Sequence, residues 1–437
     1  MQVKTFKRGT HPPEFKELAA DKKIEEIPLP ENVFISLSQH IGAPCKPIVK
    51  PGDEVKTGQL IAEGEGFVTS QVHASLSGKV KKIDKYPSPI GTKPTMIQIE
   101  SDGNDEPLQE WTEEDWHKLS IEEMKNRIAK AGIVGMGGAA FPTNVKLSPP
   151  EKKPIDTFII NGCECEPFLT ADHRMMLENS DKLLEGTRII MKILGAKRTI
   201  IGIEENKLDA IELLNKKTAS ESNISVQPVK TKYPQGAEKN LIDALLKRKV
   251  PAGGLPMDVG VVVNNVGTAI AVPQAVKTKK PLIERVVTVT GQGIKEPKNL
   301  RVRIGTPFKN LIEYCGGLTP DTKKIINGGP MMGIAQYTID VPVIKGTSGV
   351  LALTEDITQK AKEFTCIRCG SCVETCPMGL VPTRLVRLIE FDKLNMAEEM
   401  GTMSCIECGS CAYVCPSNIP LVQRIKVGKQ LINEKNN

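Results

Sequence analysis

The chain has 437 residues, of which 40% are hydrophobic and 25% are charged. That length and composition predict a soluble protein of about three or four domains, and apolar runs such as Val259–Val263 are too short to span a bilayer. The net charge of +6 is mild, and with no aromatic–basic RNA-binding pattern we expect no nucleic acid partner. Met1–Thr10 is polar and basic with no apolar segment behind it, so we expect no signal peptide and a cytosolic or peripheral location.

Residues 1–30 are rich in Pro, Lys and Glu and are expected to be extended, whereas residues 33–83 alternate short apolar runs with Gly, Pro and Asp. This second pattern is typical of a small all-β unit. Its sequence resembles a barrel-sandwich domain of the biotinyl and lipoyl type, in which a lysine at a hairpin tip carries the cofactor. The tip here reads EGEGFVTS, with no lysine, and predicts a docking or structural unit. His40 and His73 are interpreted as structural rather than as metal ligands.

Residues 101–118 are acidic and are interpreted as a linker, and a helix over Ile121–Ala131 follows the start signal Ser120-x-x-Glu123. Strands and helices then alternate along the chain. Strands are predicted at 156–162, at 198–205, from 224 and from 259, and helices at about 172–194, 207–217 and 238–248. Such alternation predicts a parallel or mixed α/β sheet, with a ligand crevice at the carboxyl ends of its strands.

A β-grasp unit is predicted after this sheet, with strands on either side of a turn from 285 and a helix over Pro307–Cys315. The segment NGGPMMG at 327–333 is expected to be a turn, followed by strands up to Leu353. The predicted fold is therefore multidomain α/β, and its segments are a barrel-sandwich domain at 1–118, a Rossmann-like nucleotide domain at 119–280, a β-grasp (SLBB-like) module at 281–354 and a helical two-cluster ferredoxin-type domain at 355–437.

The last segment carries the pattern C-x₂-C-x₂-C-x₃-C-P twice, as CIRCGSCVETCP at 366–377 and CIECGSCAYVCP at 405–416. This run holds cubane clusters, and in two-cluster ferredoxins its fourth cysteine ligates the other cluster. Zinc knuckles or disulfides are disfavoured because the full spacing repeats. We therefore predict two [4Fe–4S] clusters. Their ligands would be Cys366, Cys369, Cys372 and Cys415 for one cluster, and Cys405, Cys408, Cys411 and Cys376 for the other.

A glycine-rich loop in the predicted nucleotide domain places Gly135, Gly137 and Gly138 close together. Without side chains at these positions, backbone N–H groups can approach a phosphate closely. Phe141 offers a flat face for a flavin or nicotinamide ring, and Lys146 offers a cation. The spacing is not the G-x-G-x-x-G of the Rossmann fingerprint, and a tight structural turn is the alternative interpretation.

Four segments in this region occur in an order that carries a resemblance: GMGGAAFPTNVKL, NGCECEPF, YPQGAEKNL and NNVGTA. They resemble the signature segments of the flavin- and NADH-binding subunit of respiratory complex I. The segments HPPEFK at 11–16 and LSQHIGAP at 37–44, together with the two-cluster tail, are instead similar to the RnfC subunit of the Rnf complex. That complex is a membrane-bound ferredoxin–NAD⁺ oxidoreductase that pumps Na⁺ or H⁺.

The resemblance implies residues for two cofactors, FMN and NAD(H). Those implied to hold FMN are Gly135, Gly137, Lys146, Asn161, Asn264, Asn265 and Thr268, with Glu164 approaching the flavin edge. Those implied to line the nicotinamide nucleotide site are Phe141, Glu166, Tyr233 and Glu238. Gly138 and Gly236 belong to the same cofactor-binding segments. The chain departs from the complex I pattern at Met136, Cys163 and Ala237, where that family has Arg, Asp and Glu.

The resemblance also implies a peripheral oxidoreductase subunit on the cytoplasmic face of the cell membrane, working with other Rnf-type subunits and with ferredoxin. A flavin is expected between NAD(H), which exchanges two electrons, and cubanes, which exchange one. One alternative is a soluble cobalamin-reductase-type protein, in which the barrel-sandwich module is expected after the clusters rather than first. The other is a cluster relay or docking subunit without a functional nucleotide site.

Overall fold

The computed structural model describes residues 2–358 and 362–436. Its first segment is an extended arm, as expected, and the arm belongs to other domains. Lys4 forms a bridge with Val229, and Thr10 forms one with Tyr233. The first strand, β1 (Ile24–Glu26), then joins a sheet built mainly from residues beyond 280. The arm therefore connects distant parts of the chain before the first domain begins.

The predicted small all-β unit is confirmed as two sheets that pack their apolar faces together. The strands are β2 (Asn32–Ser36), β3 (Lys46–Pro47), β4 (Glu54–Val55), β5 (Leu60–Glu63), β6 (Val72–His73), β7 (Gly78–Lys85) and β8 (Thr95–Ser101). One sheet has the order β2-β8-β7-β4 and the other β3-β5-β6, and all pairs are antiparallel. Alternating residues such as Val33, Ile35, Ile97 and Ile99 fill the core between the sheets.

The nucleotide domain is a parallel sheet between helices. Its elements are α1 (Ile121–Lys130), α2 (Thr143–Lys146), β9 (Thr157–Gly162), α3 (Ala171–Glu178), α4 (Ser180–Leu194), β10 (Arg198–Glu204), α5 (Leu208–Thr218), β11 (Ile224–Val229), α6 (Glu238–Leu246), β12 (Val261–Asn265) and α7 (Val266–Thr278). The order β11-β10-β9-β12 is parallel throughout. The single helix predicted over 172–194 is wrong in one respect, because the helix is interrupted at Asn179.

The β-grasp prediction is confirmed, with one strand that comes from the arm. The elements are β13 (Glu284–Thr290), β14 (Lys298–Arg303), α8 (Phe308–Tyr314), β15 (Thr322–Asn327), β16 (Ile334–Gln336), β17 (Gly349–Thr354) and α9 (Glu355–Thr358). The sheet order is β1-β14-β13-β17-β15-β16, so β1 forms one edge. Phe308, Leu311 and Ile312 of α8 pack into the core beneath it.

The cysteine-rich segment is helical. It contains α10 (Ser371–Thr375), α11 (Pro382–Glu390), α12 (Leu394–Glu399), α13 (Ser410–Tyr413) and α14 (Leu421–Asn436). Helices predicted at 383–392 and 421–433 are confirmed as α11 and α14, which pack together through residues such as Ile389 and Gly428. Over residues 2–358 and 362–436, no helix has both the length and the apolar character needed to cross a membrane.

Candidate functional site

The carboxyl ends of β9 and β12 form a crevice in the nucleotide domain. Asn161 and Asn265 are register partners at the ends of these two strands. The chain after β9 goes on to β10 and β11 on one side, whereas β12 lies on the other side. The crevice is therefore the topological switch point of the sheet, where open α/β sheets bind their ligands.

The glycine-rich loop lies over this crevice and is fastened to α7. Gly135 N donates to Phe141 O at 2.8 Å, which closes the loop, and Met136 N donates to Thr268 Oγ1 at 2.9 Å. A Cβ on Gly137 would lie 2.6 Å from Asn265 Nδ2, so the loop backbone packs directly on the Asn265 side chain. A Cβ on Gly138 would meet no protein atom within 4 Å. The exposed backbone around Gly138 is thus open to an approaching phosphate.

The three asparagines at the crevice differ in what they bind. Asn161 Nδ2 donates to Gly236 O at 2.8 Å, and Asn265 Oδ1 accepts from Gly267 N at 2.8 Å to cap α7. Asn264 is 5% exposed, and its Nδ2 is a buried donor with no hydrogen-bond partner in the described part of the chain. Buried donors in native proteins are normally satisfied. The orphaned Asn264 donor, together with the open glycine cradle, fits a polar ligand such as FMN.

Two carboxylates lie at the first turn of α3 beside the crevice. Glu164 accepts from Asp172 N at 2.7 Å and from His173 N at 3.2 Å, so its negative charge sits at the positive end of the helix. Asp172 in turn accepts from Asn265 Nδ2 at 2.5 Å. Burial, followed by the charge of Glu164, raises the pKa of Asp172 to about 7. Glu164 thus acts through α3, and Asp172, which no sequence signal singled out, holds Asn265.

Lys146 and Glu238 form an ion pair across the mouth of the crevice, with Lys146 Nζ 2.5 Å from Glu238 Oε1. Lys146 ends α2, directly after the glycine-rich loop, and Glu238 begins α6. The pair therefore joins two of the four sequence segments that carried the resemblance. Gly236 lies just before α6 and approaches Asn161 and Cys163.

Glu166 is held away from the crevice by the turn after β15. Its carboxylate accepts from Met331 N at 3.0 Å and from Met332 N at 2.8 Å. Burial raises the pKa of Glu166 to about 7, although both amide donors act in the opposite direction. A Cβ on Gly329 would overlap the Glu166 carboxylate, which shows how closely the turn covers it.

Tyr233 is also engaged elsewhere, at the boundary with the cysteine-rich domain. Its side chain is 1% exposed, and its hydroxyl donates to Cys408 O at 2.8 Å. The residues brought together at the crevice are thus the glycines, Phe141, Lys146, Gly236, Glu238, the three asparagines and Thr268. Glu166 and Tyr233 face other domains.

The eight motif cysteines separate into two groups by their surroundings. Cys376, Cys405, Cys408 and Cys411 line one cavity together with apolar residues such as Val422 and Ile425. The charge of Cys415 instead raises the pKa of Cys372, after burial as the larger cause. Among the described residues no three His, Cys, Asp or Glu side chains converge on a single-ion site, whereas a cubane spreads its thiolates around a body of several atoms. The first group thus fits a cubane bounded by apolar side chains.

Four domain families match the sequence in the order of the folded units. They are the RnfC barrel sandwich hybrid domain at residues 4–104, the Nuo51 FMN-binding domain at 128–274, the SLBB domain at 286–335 and the 4Fe-4S dicluster domain at 359–416. Among solved structures, a chain of an air-oxidized NAD⁺-reducing [NiFe]-hydrogenase is similar in fold, with a TM-score of 0.50 and 16% identity. That match covers 72% of this chain and 64% of the hydrogenase chain.

Relatives of known name match nearly the whole chain. The RnfC-type subunit of the proton-translocating ferredoxin:NAD(+) oxidoreductase complex of Clostridium ljungdahlii is 53% identical, over 91% of this chain and 87% of its own length. The corresponding subunit of the Na(+)-translocating complex of Acetobacterium woodii is 46% identical over 99% and 98%. This chain belongs to the RnfC family. As a family member it is an electron-transfer subunit of an oxidoreductase complex, with an FMN-binding domain and a dicluster domain. This favours the Rnf interpretation over both alternatives raised from the sequence.

Two basic residues of this RnfC family member were missed in the sequence because each comes from the SLBB module and carries no local motif. Arg285, which is 6% exposed, donates to Met136 O at 3.3 Å and so supports the glycine-rich loop from below. Burial lowers the pKa of Arg285 to about 10. Lys345, which is 1% exposed, donates to Gly132 O at 2.7 Å and to Gln71 O at 2.6 Å. It thereby ties the barrel-sandwich domain to the segment that enters the loop.

Proposed function

We propose that this chain passes electrons between NAD(H) and ferredoxin-derived one-electron carriers, as a peripheral subunit on the cytoplasmic face of an ion-translocating membrane complex. Its partners would be the other Rnf-type subunits, ferredoxin and NAD(H). The names of the relatives, which state ferredoxin:NAD(+) oxidoreductase activity, support this proposal.

The observation that carries the proposal is the direct contact between the nucleotide domain and the cysteine-rich domain. Tyr233, which follows β11, donates its hydroxyl to the carbonyl of Cys408. Redox centres that exchange electrons must lie in adjacent parts of one rigid body, and this buried hydrogen bond joins the two domains that would hold them. The proposed domain segments, 1–118, 119–280, 281–354 and 355–437, divide the work into support, nucleotide binding, support and one-electron transfer.

The crevice residues would divide the binding of FMN among them. The backbone at Gly135, Gly137 and Gly138 would approach the phosphate, with Lys146 as its cation, and Asn264 Nδ2 would donate to a polar edge of the ligand. Asn161, Asn265 and Thr268 would hold the surrounding backbone, as their hydrogen bonds indicate. A bound flavin supplies the conversion between hydride transfer and single-electron transfer.

The nicotinamide site is proposed to lie beside the same loop. Phe141 is half-buried and would present its ring at this place, while Glu238 is available once Lys146 turns to the phosphate. Glu164 would set the local field through α3 rather than by direct contact. Glu166 and Tyr233 would act indirectly, by fixing the SLBB turn and the cysteine-rich domain against the nucleotide domain.

The test is NADH-dependent reduction of the clusters in the anaerobically purified full chain, reconstituted with iron, sulfide and FMN. We expect NADH to bleach the cluster absorbance and expect the bleaching to require FMN. Dithionite serves as the control that the clusters are intact and reducible. Clusters that dithionite reduces, but that NADH with bound FMN leaves oxidised, would contradict the proposal.

A further inference from the structure

The cysteine-rich domain is attached to the rest of the protein by two paired backbone segments. Tyr233 N donates to Thr10 O at 2.8 Å, and Thr10 N donates to Tyr233 O at 2.8 Å. This pairing sets the N-terminal arm beside the segment that follows β11. Both segments then reach the cysteine-rich domain at neighbouring points.

Each segment places a donor on a cysteine-bearing loop. From one segment, the buried Tyr233 hydroxyl donates to Cys408 O at 2.8 Å. From the arm, Arg8 Nη1 lies 3.3 Å from both Val373 O and Cys376 O. Gly9 N also donates to Thr375 O at 2.9 Å, which holds Arg8 in register with Cys376. Neither contact is part of the flavin crevice.

The two cysteines that receive these donors belong to the same predicted ligand set. Cys376 and Cys408 line one cavity with Cys405 and Cys411. In contrast, Cys366 and Cys369 of the other set are exposed. The rest of the protein thus contacts the two halves of the dicluster domain unequally, through donors placed on one of them.

We propose that Tyr233 and Arg8 are positioning residues that raise the reduction potential of the cluster held by Cys376, Cys405, Cys408 and Cys411. A hydrogen-bond donor on the carbonyl of a ligating cysteine, and a cation beside it, favour the reduced cluster because it carries one more negative charge. Arg8 is exposed, so solvent screens its charge and moderates its effect. This inference rests on the two-cluster assignment of the proposed function.

The experiment is a redox titration of the reconstituted full chain followed by EPR, with dithionite as the reductant that adds one electron to each cluster. The variants are Tyr233→Phe, Arg8→Gln and Arg8→Lys. Two further variants identify the signals. Ser410 Oγ lies 3.4 Å from Cys408 Sγ, and Ser371 Oγ lies 3.4 Å from Cys369 Sγ, so Ser410→Ala and Ser371→Ala each mark one cluster.

We expect Tyr233→Phe and Arg8→Gln each to lower the reduced-to-oxidised ratio of the Ser410-sensitive cluster about threefold at a fixed potential, equal to about 28 mV. The Ser371-sensitive signal should stay in place, and Arg8→Lys should restore most of the loss because it keeps the charge. Unchanged midpoints in both variants, or a shift confined to the Ser371-sensitive signal, would overturn the proposal. Iron content and total spin per chain report separately whether two clusters are present, so a failure of the cluster assignment is distinguished from a failure of this inference.

Discussion

Lys146 Nζ lies 2.5 Å from Glu238 Oε1, and this pair closes one side of the crevice between the glycine-rich loop and α6. The two side chains are 27% and 36% exposed, so the pair contributes little to the free energy of unfolding. Its position at the junction of two signature segments indicates a role in binding instead. The cation can exchange its carboxylate partner for a phosphate without crossing a buried region.

We expect Lys146→Met to weaken FMN binding by at least about tenfold, because the cation beside the phosphate is lost, a difference of about 1.4 kcal/mol. The measurement is the quenching of flavin fluorescence on titration with the chain. Glu238→Gln is the matched control, since it releases Lys146 from its ion pair and should leave FMN affinity equal or higher. Equal weakening in both variants would indicate that the pair only holds the loop in shape.

Neighbouring glycines in the loop separate folding from binding. A Cβ on Gly137 would lie 2.6 to 2.8 Å from Asn265 atoms, so Gly137→Ala must displace either the loop or Asn265. We expect it to destabilise the nucleotide domain by about 1–3 kcal/mol, as overpacking does. Denaturant unfolding followed by tryptophan fluorescence would measure the change.

Gly138→Ala should have the opposite profile, because its Cβ would enter open space in the folded chain. We expect the free energy of unfolding to change by less than about 0.5 kcal/mol, while FMN affinity falls because the new methyl group keeps a phosphate from the backbone. Retained FMN affinity in Gly138→Ala would show that the phosphate does not approach this part of the loop.

The N-terminal arm should stabilise the segment that follows β9. Lys16 Nζ donates to Leu169 O at 2.6 Å, to Glu164 O at 2.8 Å and to Glu166 O at 3.0 Å. Burial lowers the pKa of Lys16, which shows that the ammonium has left water for these carbonyls. We expect Lys16→Met to cost roughly 2–4 kcal/mol, because charged hydrogen bonds are lost and their acceptors are left unpaired.

The control for this prediction is Lys7→Met, since Lys7 is an exposed residue of the same arm. Chemical denaturation of both variants beside the parent would measure the difference. Equal stability of Lys16→Met and Lys7→Met would show that the arm is dispensable to the segment it crosses.

Local patterns in the sequence were enough to predict the strands, the two cysteine runs and the crevice asparagines. Asn161 and Asn265 follow apolar strands, and parallel strands bring their carboxyl ends to one edge. The contacts of Tyr233 and Arg8 could not be predicted in this way. They join Tyr233 to Cys408 and Arg8 to Cys376 across more than 170 residues, and the arm itself has no apolar periodicity to reveal its partners.

Glu166 should give the protein a pH-dependent stability. Burial raises its folded pKa from near 4.5 to about 7, so between these values the folded state binds a proton that the unfolded state has lost. The contribution of this carboxyl to stability is therefore fully present below about pH 4.5 and declines as the pH rises to about 7. Glu166→Gln removes the titrating group and with it this part of the decline.

We expect the unfolding free energy of Glu166→Gln, relative to the parent, to improve by about 1–3 kcal/mol between pH 5 and pH 8. At pH 5 the variant should be the less stable protein, because the glutamine amide offers one acceptor where Met331 N and Met332 N both donate. Denaturant unfolding at both pH values measures the change, and Glu164→Gln, two residues earlier in the same segment, tests whether it belongs to Glu166. A difference between Glu166→Gln and the parent that is constant with pH would mean that Glu166 stays ionised in the folded protein throughout this range.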